Sequence, residues 1–231
     1  MLMKKLVVLT GAGISAESGL KTFRDSDGLW EGYDIEEVAT PAAWRKNPQL
    51  VLEFYNFRRA QVARAQPNDA HIGLAELEKY FDVQIITQNI DDLHERAGST
   101  KVMHLHGEIF KMCDESDRSC VKQIHGDIHM GDITEKGNQY RPDIVWFGEA
   151  VPMIEQAVIE TMKADIFVVI GTSLQVYPAA GLVGYAPMHS EKYIIDKKIP
   201  YISSSEDLTV IEKSATEGVR DLKSYLKKDL Q

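Results

Sequence analysis

Glycine spacing near the amino terminus predicts a turn that binds phosphates. An apolar run at residues 6–9 is followed, after Thr10, by Gly11, Ala12, Gly13, Ile14, Ser15 and Ala16, which match the pattern G-x-G-x-x-G/A. At a strand-to-helix turn this pattern exposes backbone N–H groups at a helix amino terminus, where phosphates bind. Because a glycine pattern alone is not specific, its meaning depends on the residues that follow.

The residues after this turn differ from those of an ordinary dinucleotide-binding unit. Such a unit continues with a helix and a second apolar strand, whose terminal acidic residue binds the ribose hydroxyls about 20 residues on. Residues 23–30 instead form a polar loop that contains Phe23, Arg24, Asp25 and Trp30. The loop is placed where the nicotinamide end of a cofactor could lie. The segment therefore predicts nucleotide binding without the usual hydride-transfer arrangement.

Two histidines stand at the exit of an apolar run, where α/β sheets carry their ligands. His104 and His106 are separated by one residue, so on a strand they point to opposite faces and only one can face a cleft. A lone histidine is more often structural than catalytic. Its near-neutral pKa nevertheless suits the removal of a proton from a sugar hydroxyl.

Polar residues also follow two other predicted strands. After residues 83–87 come Gln88, Asn89, Ile90 and Asp91, and after residues 166–170 come Gly171, Thr172 and Ser173. In the first group, Asp91 or its neighbour Asp92 could simply cap a helix at residues 92–97. The small residues of the second group let a backbone approach a phosphate or ribose closely. They would form the other side of the crevice that begins at the glycine turn.

The apolar runs predict the sheet that positions these groups. Runs of strand length occur at residues 6–9, 83–86, 144–146, 166–170 and 193–195 and alternate with helical patterns. Near-continuous apolar strands separated by helices are typical of a parallel sheet covered on both faces. We therefore predict an α/β fold, a Rossmann-like doubly wound parallel sheet with a smaller inserted lobe.

Two stretches interrupt the strand pattern and are assigned to the lobe. The first is loop followed by a helix at residues 49–65, and the second is polar with no sheet-like run. We expect one domain, residues 1–231, divided into a core and a lobe with the active cleft between them. The core comprises about residues 1–22, 67–107 and 142–231, and the lobe about residues 23–66 and 108–141.

Composition limits the class of protein. A chain of 231 residues with 44% hydrophobic residues can bury the core of one globular domain, and its formal charge of −9 opposes nucleic-acid binding. No run approaches the roughly 18 apolar residues of a membrane span, and the first residues have no hydrophobic signal-peptide region. Two cysteines exclude a multi-disulfide scaffold and suit a reducing compartment. We expect a cytoplasmic protein.

Together the motifs resemble those of the sirtuins, the NAD-dependent protein-lysine deacylases of the silent information regulator family. The family's order continues after the glycine turn and the polar loop with QNID at 88–91, HLHGE at 104–108, VWFGE at 145–149 and GTSL at 171–174. The resemblance covers nearly the whole chain. It implies transfer of an acyl group from a protein lysine to the ADP-ribose part of NAD, which gives nicotinamide, O-acyl-ADP-ribose and free lysine.

The resemblance also implies roles for individual residues. The family's base is the histidine of the His-Gly pair, which selects His106, and Asn89 joins it as catalytic. Asn89 and Asp91 would bind the nicotinamide carboxamide, and Gln88 the nearby ribose. Asp196 stands where the family usually has an asparagine, and its carboxylate would favour NAD over NADP. The NAD-binding set also includes Gly11, Ala12, Gly13, Ser15, Ala16, Phe23, Arg24, Trp30, Ile90, Gly171, Thr172, Ser173 and Ala215.

The substrate contacts are implied in the same way. An acylated peptide would pair as an added strand, with little sequence demand, along Val145, Phe147, Gly148 and Glu149. A core strand with a bulge at Gly148 is the alternative, and Trp146 could be a core residue. Tyr55 and Arg58 share a helix face and match the Y-x-x-R pattern of sirtuins that remove succinyl and malonyl groups. A guanidinium beside a phenol can bind a distal carboxylate, and the small Ala39 would leave room for a longer acyl chain.

One feature departs from most sirtuins. Two C-x-x-C pairs usually hold a structural zinc, but this chain has only Cys113 and Cys120. A set formed by these cysteines with His125 and His129 stays open. We nevertheless expect no metal, with polar contacts and packing in its place within residues 108–141.

The expected partners are acylated lysine-containing proteins or peptides, with no nucleic acid, no membrane and a monomeric state. Plain NAD-dependent deacetylation and mono-ADP-ribosyl transfer remain alternatives, as does a catalytically silent module that binds NAD or ADP-ribose. A dehydrogenase is disfavoured, because the second strand with its terminal acidic residue is missing.

Overall fold

The computed structural model of the chain describes residues 3–21, 30, 32–200 and 208–228. Its strands are β1 (Lys5–Thr10), β2 (Asp82–Thr87), β3 (Val102–His104), β4 (Gly107–Asp114), β5 (Val121–Gln123), β6 (Tyr140–Ile144), β7 (Ile166–Ile170), β8 (Glu191–Ile195) and β9 (Leu208–Ile211). Six of them form a parallel sheet in the order β3-β2-β1-β7-β8-β9. The predicted α/β class with a Rossmann-like parallel sheet is confirmed.

Helices cover both faces of this sheet. The α-helices are α1 (Ile35–Val38), α2 (Pro41–Lys46), α3 (Pro48–Arg64), α4 (Asp69–Leu77), α5 (Leu93–Arg96), α6 (Ile154–Thr161) and α7 (Ala215–Lys228), and of these α4, α6 and α7 pack on the sheet. Leu6 and Val8 of β1 belong to an apolar cluster with α4 and α7, whereas Val7 and Leu9 belong to a second cluster with α6. Burial on both faces explains why the strand reads as a continuous apolar run. None of the helices among the described residues is long and apolar enough to span a membrane.

The lobe contains a small antiparallel sheet that the sequence did not indicate. Its strands lie in the order β5-β4-β6, so the expectation of no sheet within residues 108–141 is wrong. Every residue of β5 is exposed, and β4 alternates irregularly between buried and partly buried positions. A short sheet with one face exposed to solvent contains no continuous apolar run. The sequence analysis searched for such runs and therefore missed these strands.

The predicted core strand at residues 144–146 is also wrong. β6 ends at Ile144 and pairs with β4 of the lobe, and Ile144 and Trp146 are both buried in the lobe's apolar cluster. The apolar residues were recognised correctly as core, but the hydrophobic pattern does not say which of two cores they join.

Helix α3 gives the lobe its framework and confirms the helix predicted at residues 49–65. It begins after Asn47, whose side chain accepts a hydrogen bond from Leu50 N, and Pro48 occupies its first turn. Its buried side chains include Phe54, Tyr55 and Arg58, which pack against the rest of the lobe. Tyr55 and Arg58 also reach the site described below.

Candidate active site

A cavity of about 930 Å³ lies at the carboxyl ends of the parallel strands, and the lobe forms part of its wall. All of the predicted site residues that the structure describes line this cavity, from Gly11 at the glycine turn to Ala215 at the start of α7. Phe23, Arg24 and Asp25 lie outside the described residues. The expected meeting of the strand ends at one edge of the sheet is therefore observed for the rest.

The glycines of the first turn bring two loops into direct backbone contact. Gly11 N donates to Ile170 O at 3.0 Å, and Gly13 N donates to Gly171 O at 2.8 Å. A Cβ atom on Gly13 would lie 2.6 Å from Gly171 Cα, and Gly171 itself has a φ of +62°. Only residues without a side chain fit here. These three glycines (Gly11, Gly13 and Gly171) form what we call the glycine floor of the cavity.

This contact corrects the predicted strand-to-helix turn. Two short 3₁₀ segments, Ala12–Ile14 and Ala16–Ser18, follow β1 in place of an α-helix, and the second ends at Gly19 with a φ of +84°. Four N–H groups of the turn, those of Gly11, Gly13, Ile14 and Ser15, are bonded within the protein, so they are not presented to a phosphate. The motif positions the turn correctly, but the pattern alone does not distinguish loop packing from phosphate contact.

A hydrogen-bonded chain links the glycine turn to the loop after β2. Asn89 Nδ2 donates to Gly11 O and to Ser15 Oγ, each at 3.1 Å, and Ser15 Oγ donates to Asp91 Oδ2 at 3.0 Å. The other carboxylate oxygen of Asp91 accepts from Leu93 N at 3.2 Å, so Asp91 also caps α5. Burial raises the pKa of Asp91. Capping and a place in the cavity wall coexist, as the sequence allowed.

A buried histidine, His71, contacts Ser15 of this hydrogen-bonded chain and was not predicted as a site residue from the sequence. His71 is fully buried, and burial lowers its pKa to about 4, so the ring is neutral near pH 7. Its Nδ1 lies 3.3 Å from Asn68 N and 3.1 Å from Asn68 Oδ1, and its Nε2 lies 3.5 Å from Ser15 Oγ. In the sequence His71 stands inside a helical pattern with nothing to mark it as a support of Ser15.

His106 is held in the tautomer that a base requires. Its Nδ1 lies 3.0 Å from the backbone oxygen of Gln88. A carbonyl oxygen only accepts, so Nδ1 carries the proton and Nε2 keeps its lone pair. Burial lowers the pKa of His106, which keeps the ring neutral at pH 7. The side chain of Gln88 donates to Thr172 Oγ1 at 3.1 Å and joins the loops after β2 and β7.

In the part of the chain that the structure describes, aromatic side chains and the cation Arg58 form the lobe side of the cavity. Trp146 Nε1 donates to the phenol oxygen of Tyr55 at 3.2 Å. The guanidinium of Arg58 lies 5.3 Å from the ring centre of Trp30 and donates to Gln61 Oε1 at 3.0 Å. Trp30, which the sequence grouped with the cofactor contacts, packs edge-on against Tyr55 with ring centres 6.3 Å apart. The predicted acyl-recognition pair therefore lies in one wall with Trp30.

Residues 145–149 are a turn and not a strand, so the alternative of a bulged core strand is wrong. Gly148 has a φ of +88°. Val145 N donates to His106 O and Phe147 N donates to Ala39 O, each at 2.9 Å, and Glu149 N donates to Trp146 O at 3.0 Å. A peptide that pairs along this segment cannot use those three N–H groups without displacing an internal bond.

The side chain of Glu149 is hydrogen-bonded within the lobe, although the sequence predicted it to contact the peptide. Its carboxylate accepts from both terminal nitrogens of Arg141, at 2.8 and 3.0 Å, and from Trp146 N at 2.8 Å. The guanidinium of Arg141 also lies 3.4 Å from the ring centre of Trp146. Glu149 therefore fixes the turn and the indole that contacts Tyr55.

Comparison with known proteins assigns this site to a family. The sequence profile of the Sir2 family matches residues 11–178, which is more than two thirds of the chain. The chain belongs to the Sir2 family. The resemblance to sirtuins that its motifs suggested is confirmed.

Close relatives of this Sir2-family chain match it over nearly its full length. An NAD-dependent protein deacylase of Helicobacter pylori (strain ATCC 700392 / 26695) is 53% identical over 220 residues, which are 95% of this chain and 96% of the relative. One from Bacteroides thetaiotaomicron is 54% identical over 230 residues, 97% and 98% of the two chains. A solved Sir2 homologue in complex with NAD has a TM-score of 0.87 at 38% identity and covers 99% of this chain and 91% of that one.

At the far end of the cavity of this Sir2-family chain, the residues after β8 form the rim. Asp196 Oδ1 accepts from Lys198 N at 2.9 Å, and Lys197 and Lys198 line the cavity beside it. Tyr177, from the loop after β7, also lines the cavity. None of these except Asp196 was indicated by the sequence, because they belong to loops with no motif. Their position after the strand ends was the one available signal.

Asp114 organises the part of the lobe where a metal was considered. No group of three or more His, Cys, Asp or Glu side chains in the described residues is placed to hold a metal ion. Cys113 is buried, and burial raises the pKa of its thiol to about 12. The carboxylate of Asp114 instead accepts from Thr134 Oγ1 at 2.7 Å, from Ser116 Oγ at 2.8 Å and from Asn138 Nδ2 at 3.2 Å.

We expect Asp114→Asn to destabilise the lobe in a pH-dependent manner. The hydrogen bond from Thr134, followed by those from Ser116 and Asn138, holds the pKa of Asp114 well below its usual range. A carboxyl whose folded pKa is lowered stabilises above its unfolded pKa of about 3.9, and this contribution is lost as pH falls towards the folded value. The Tm of the variant should lie below that of the wild type at pH 7, and the gap should shrink below about pH 4.

Differential scanning calorimetry from pH 7 to pH 2.5 measures this gap. Glu135→Gln is the matched control, since Glu135 is in the same lobe with a side chain 92% exposed. Equal Tm values for Asp114→Asn and the wild type at pH 7, or a gap that does not change with pH, would contradict the assignment.

Proposed function

We propose that this Sir2-family protein removes acyl groups from protein lysines with NAD as co-substrate, and that it accepts succinyl and malonyl groups as well as acetyl. Its relatives in Helicobacter pylori and Bacteroides thetaiotaomicron are NAD-dependent protein deacylases. A Sir2 protein bound to an acetylated peptide has a TM-score of 0.79 at 28% identity and covers 97% of this chain and 94% of that one. The proposal that acidic acyl groups are accepted rests on Tyr55 and Arg58.

The geometry of Tyr55 supports recognition of a carboxylate. Burial raises the pKa of its phenol, which therefore keeps its proton. Its oxygen accepts from Trp146 Nε1, so the phenol hydrogen is oriented away from the indole and can be donated to a ligand. Arg58 stands three residues further along α3 and lines the same wall. This pairing of a donor hydroxyl with a fixed cation carries the proposal of acidic acyl groups.

The remaining pocket residues fit an extended acyl chain. Ala39 is buried in the cavity wall and presents only a methyl group. Its carbonyl accepts from Phe147 N, which ties the acyl side of the pocket to the turn at residues 145–149. We propose that the acylated lysine enters along this turn.

The described residues also fit NAD. The glycine floor admits a ligand backbone closely, and the buried Asn89 and Asp91 would hold the nicotinamide carboxamide. NAD supplies a sugar carbon that takes the acyl oxygen as nicotinamide leaves. His106 Nε2 would accept a proton from a ribose hydroxyl, since Nδ1 is already bonded to Gln88 O. The carboxylate of Asp196 would favour a ribose hydroxyl over a 2′-phosphate, and hence NAD over NADP.

We further propose a monomeric protein that works in the cytoplasm on acylated peptides or proteins. The two cysteines are both free, which suits a reducing compartment. The formal charge of −9 would attract basic segments around a substrate lysine.

A panel of acetyl-, malonyl- and succinyl-lysine peptides tests this function. With NAD, mass spectrometry should show loss of all three acyl groups and formation of the matching O-acyl-ADP-ribose, and without NAD it should show none. Loss of acetyl alone would leave plain deacetylation. Added mass of ADP-ribose on the protein or peptide would indicate mono-ADP-ribosyl transfer instead.

A further inference from the structure

His104, the first histidine of the HLHG motif, is bonded at both ring nitrogens. It stands at the end of β3, and its side chain is 8% exposed. Nδ1 lies 2.9 Å from the backbone oxygen of Asn89, and Nε2 lies 2.8 Å from Glu95 Oε1. A carbonyl and an ionised carboxylate only accept, so the ring donates from both nitrogens and carries a positive charge. Burial opposes this charge, but Glu95 and the Asn89 carbonyl raise the pKa of His104 overall.

The two histidines of the motif bond to adjacent carbonyl groups. His106 donates to Gln88 O, and His104 donates to Asn89 O. The N–H of Asn89 donates in turn to Thr87 Oγ1 at 3.0 Å. The main chain on either side of Asn89 is therefore fixed, and with it the direction of a side chain that lines the cavity.

His104 also acts on the charge of this region. It favours the ionised form of Asp91, whose pKa burial raises, and its charge also interacts with those of His94 and Glu108. Neither His104 nor Glu95 lines the cavity. Any effect of the pair on a ligand must therefore pass through Asn89 and Asp91.

We propose that His104, held by Glu95, is a positioning residue that sets the orientation of the Asn89–Asp91 segment and thereby the affinity for the nicotinamide part of NAD. The inference rests on the proposed function, since it takes Asn89 and Asp91 as the carboxamide contacts. We expect a smaller effect on ADP-ribose. Asn89 does donate to Gly11 O of the glycine floor, but the bonds from Gly11 N to Ile170 O and from Gly13 N to Gly171 O, and the rim after β8, do not involve His104.

Calorimetric titration of free enzyme with NAD and, separately, with ADP-ribose tests the proposal without turnover. In His104→Ala the Kd for NAD should rise about tenfold, the effect of losing one hydrogen bond between a misoriented Asn89–Asp91 segment and the carboxamide. The Kd for ADP-ribose should stay within about twofold. An equal rise in the Kd values for NAD and ADP-ribose, or an unchanged Kd for NAD, would overturn the proposal.

Two substitutions of Glu95 separate position from charge. The side-chain amide introduced by Glu95→Gln can donate to Nε2 of a neutral ring whose Nδ1 still bonds to Asn89 O, so both Kd values should stay close to those of the wild type. Glu95→Ala removes the anchor and should weaken NAD selectively, and it serves as the second variant if His104→Ala does not fold. A selective loss in Glu95→Gln as large as in Glu95→Ala would contradict positioning.

Lys101→Ala is the matched control. Lys101 immediately precedes β3, the strand that ends at His104. The substitution removes an ion pair with Asp82 at 2.6 Å and should change neither Kd. The wild type could bind both ligands and yet deacylate no peptide. The proposed function would then fail while the ratio of the two Kd values still tests His104. If the wild type bound neither ligand, both proposals would be overturned.

Discussion

Replacing His106 by alanine should lower the rate of lysine deacylation by about 10²–10⁴-fold, the usual effect of removing a general base. The affinity for NAD should change little, because the base acts on a single sugar hydroxyl and the backbone of Asn89 keeps its bonds to His104 and Thr87. Steady-state kinetics with an acylated peptide and a Kd for NAD measure the two effects. Near-normal turnover by a folded His106→Ala variant would contradict the assignment of His106 as the general base.

The pH profile gives a second check on the same residue. Since burial lowers the pKa of His106 and only the neutral ring accepts a proton, the acid limb of kcat/KM should have its midpoint below the ordinary histidine pKa of about 6.5. His189→Ala, which removes an exposed histidine, should leave the profile unchanged. A midpoint above pH 7 would argue that another group is the base.

Substitution of Arg58 by methionine should separate the acyl substrates. A charge-assisted hydrogen bond to a succinyl carboxylate contributes about 1.5–3 kcal/mol, so kcat/KM for succinyl-lysine should fall roughly ten- to a hundredfold or more. Acetyl-lysine has no distal carboxylate, and its kcat/KM should hold or rise as the pocket becomes more apolar. Parallel kinetics on the two peptides make the measurement.

Arg64→Met is the control for this experiment. It removes the same charge from the last turn of α3, where the side chain is exposed, and should affect both substrates little. If Arg58→Met reduced both activities equally, the contacts of Arg58 with Gln61 and Trp30 would be its main role. The proposal of acidic acyl groups would then give way to plain deacetylation.

The sequence predicted the parts of the fold whose physics is local. The strand at residues 166–170 is apolar throughout and buried throughout, and its bounds were predicted without error. Strand β9 was missed, because its four residues include the exposed Val210 and lie at the edge of the sheet. The antiparallel strands of the lobe were missed for the same reason, since half-exposed strands carry only a faint pattern.

The cavity was predicted through its motifs, and the supports behind the motifs were not. Gly11, Gln88 and His106 each follow a strand, and parallel strands end at one edge, so their meeting could be anticipated. His71 and His104 bear on the site from the second layer, where contacts depend on how helices pack on the sheet. Spacing along one chain does not encode such contacts: His71 belongs to no motif, and the motif that contains His104 did not reveal its contacts.

The glycine floor and the rim after β8 should respond differently to substitution. At Gly13 even a methyl group would fall 2.6 Å from Gly171 Cα, so a substitution there would force the two loops apart and disrupt the surface proposed to bind NAD. At the rim, Asp196 and Lys198 have side chains that can be exchanged for others. Engineering of this protein for an altered nucleotide therefore has to begin at the rim, since the floor has nothing to exchange.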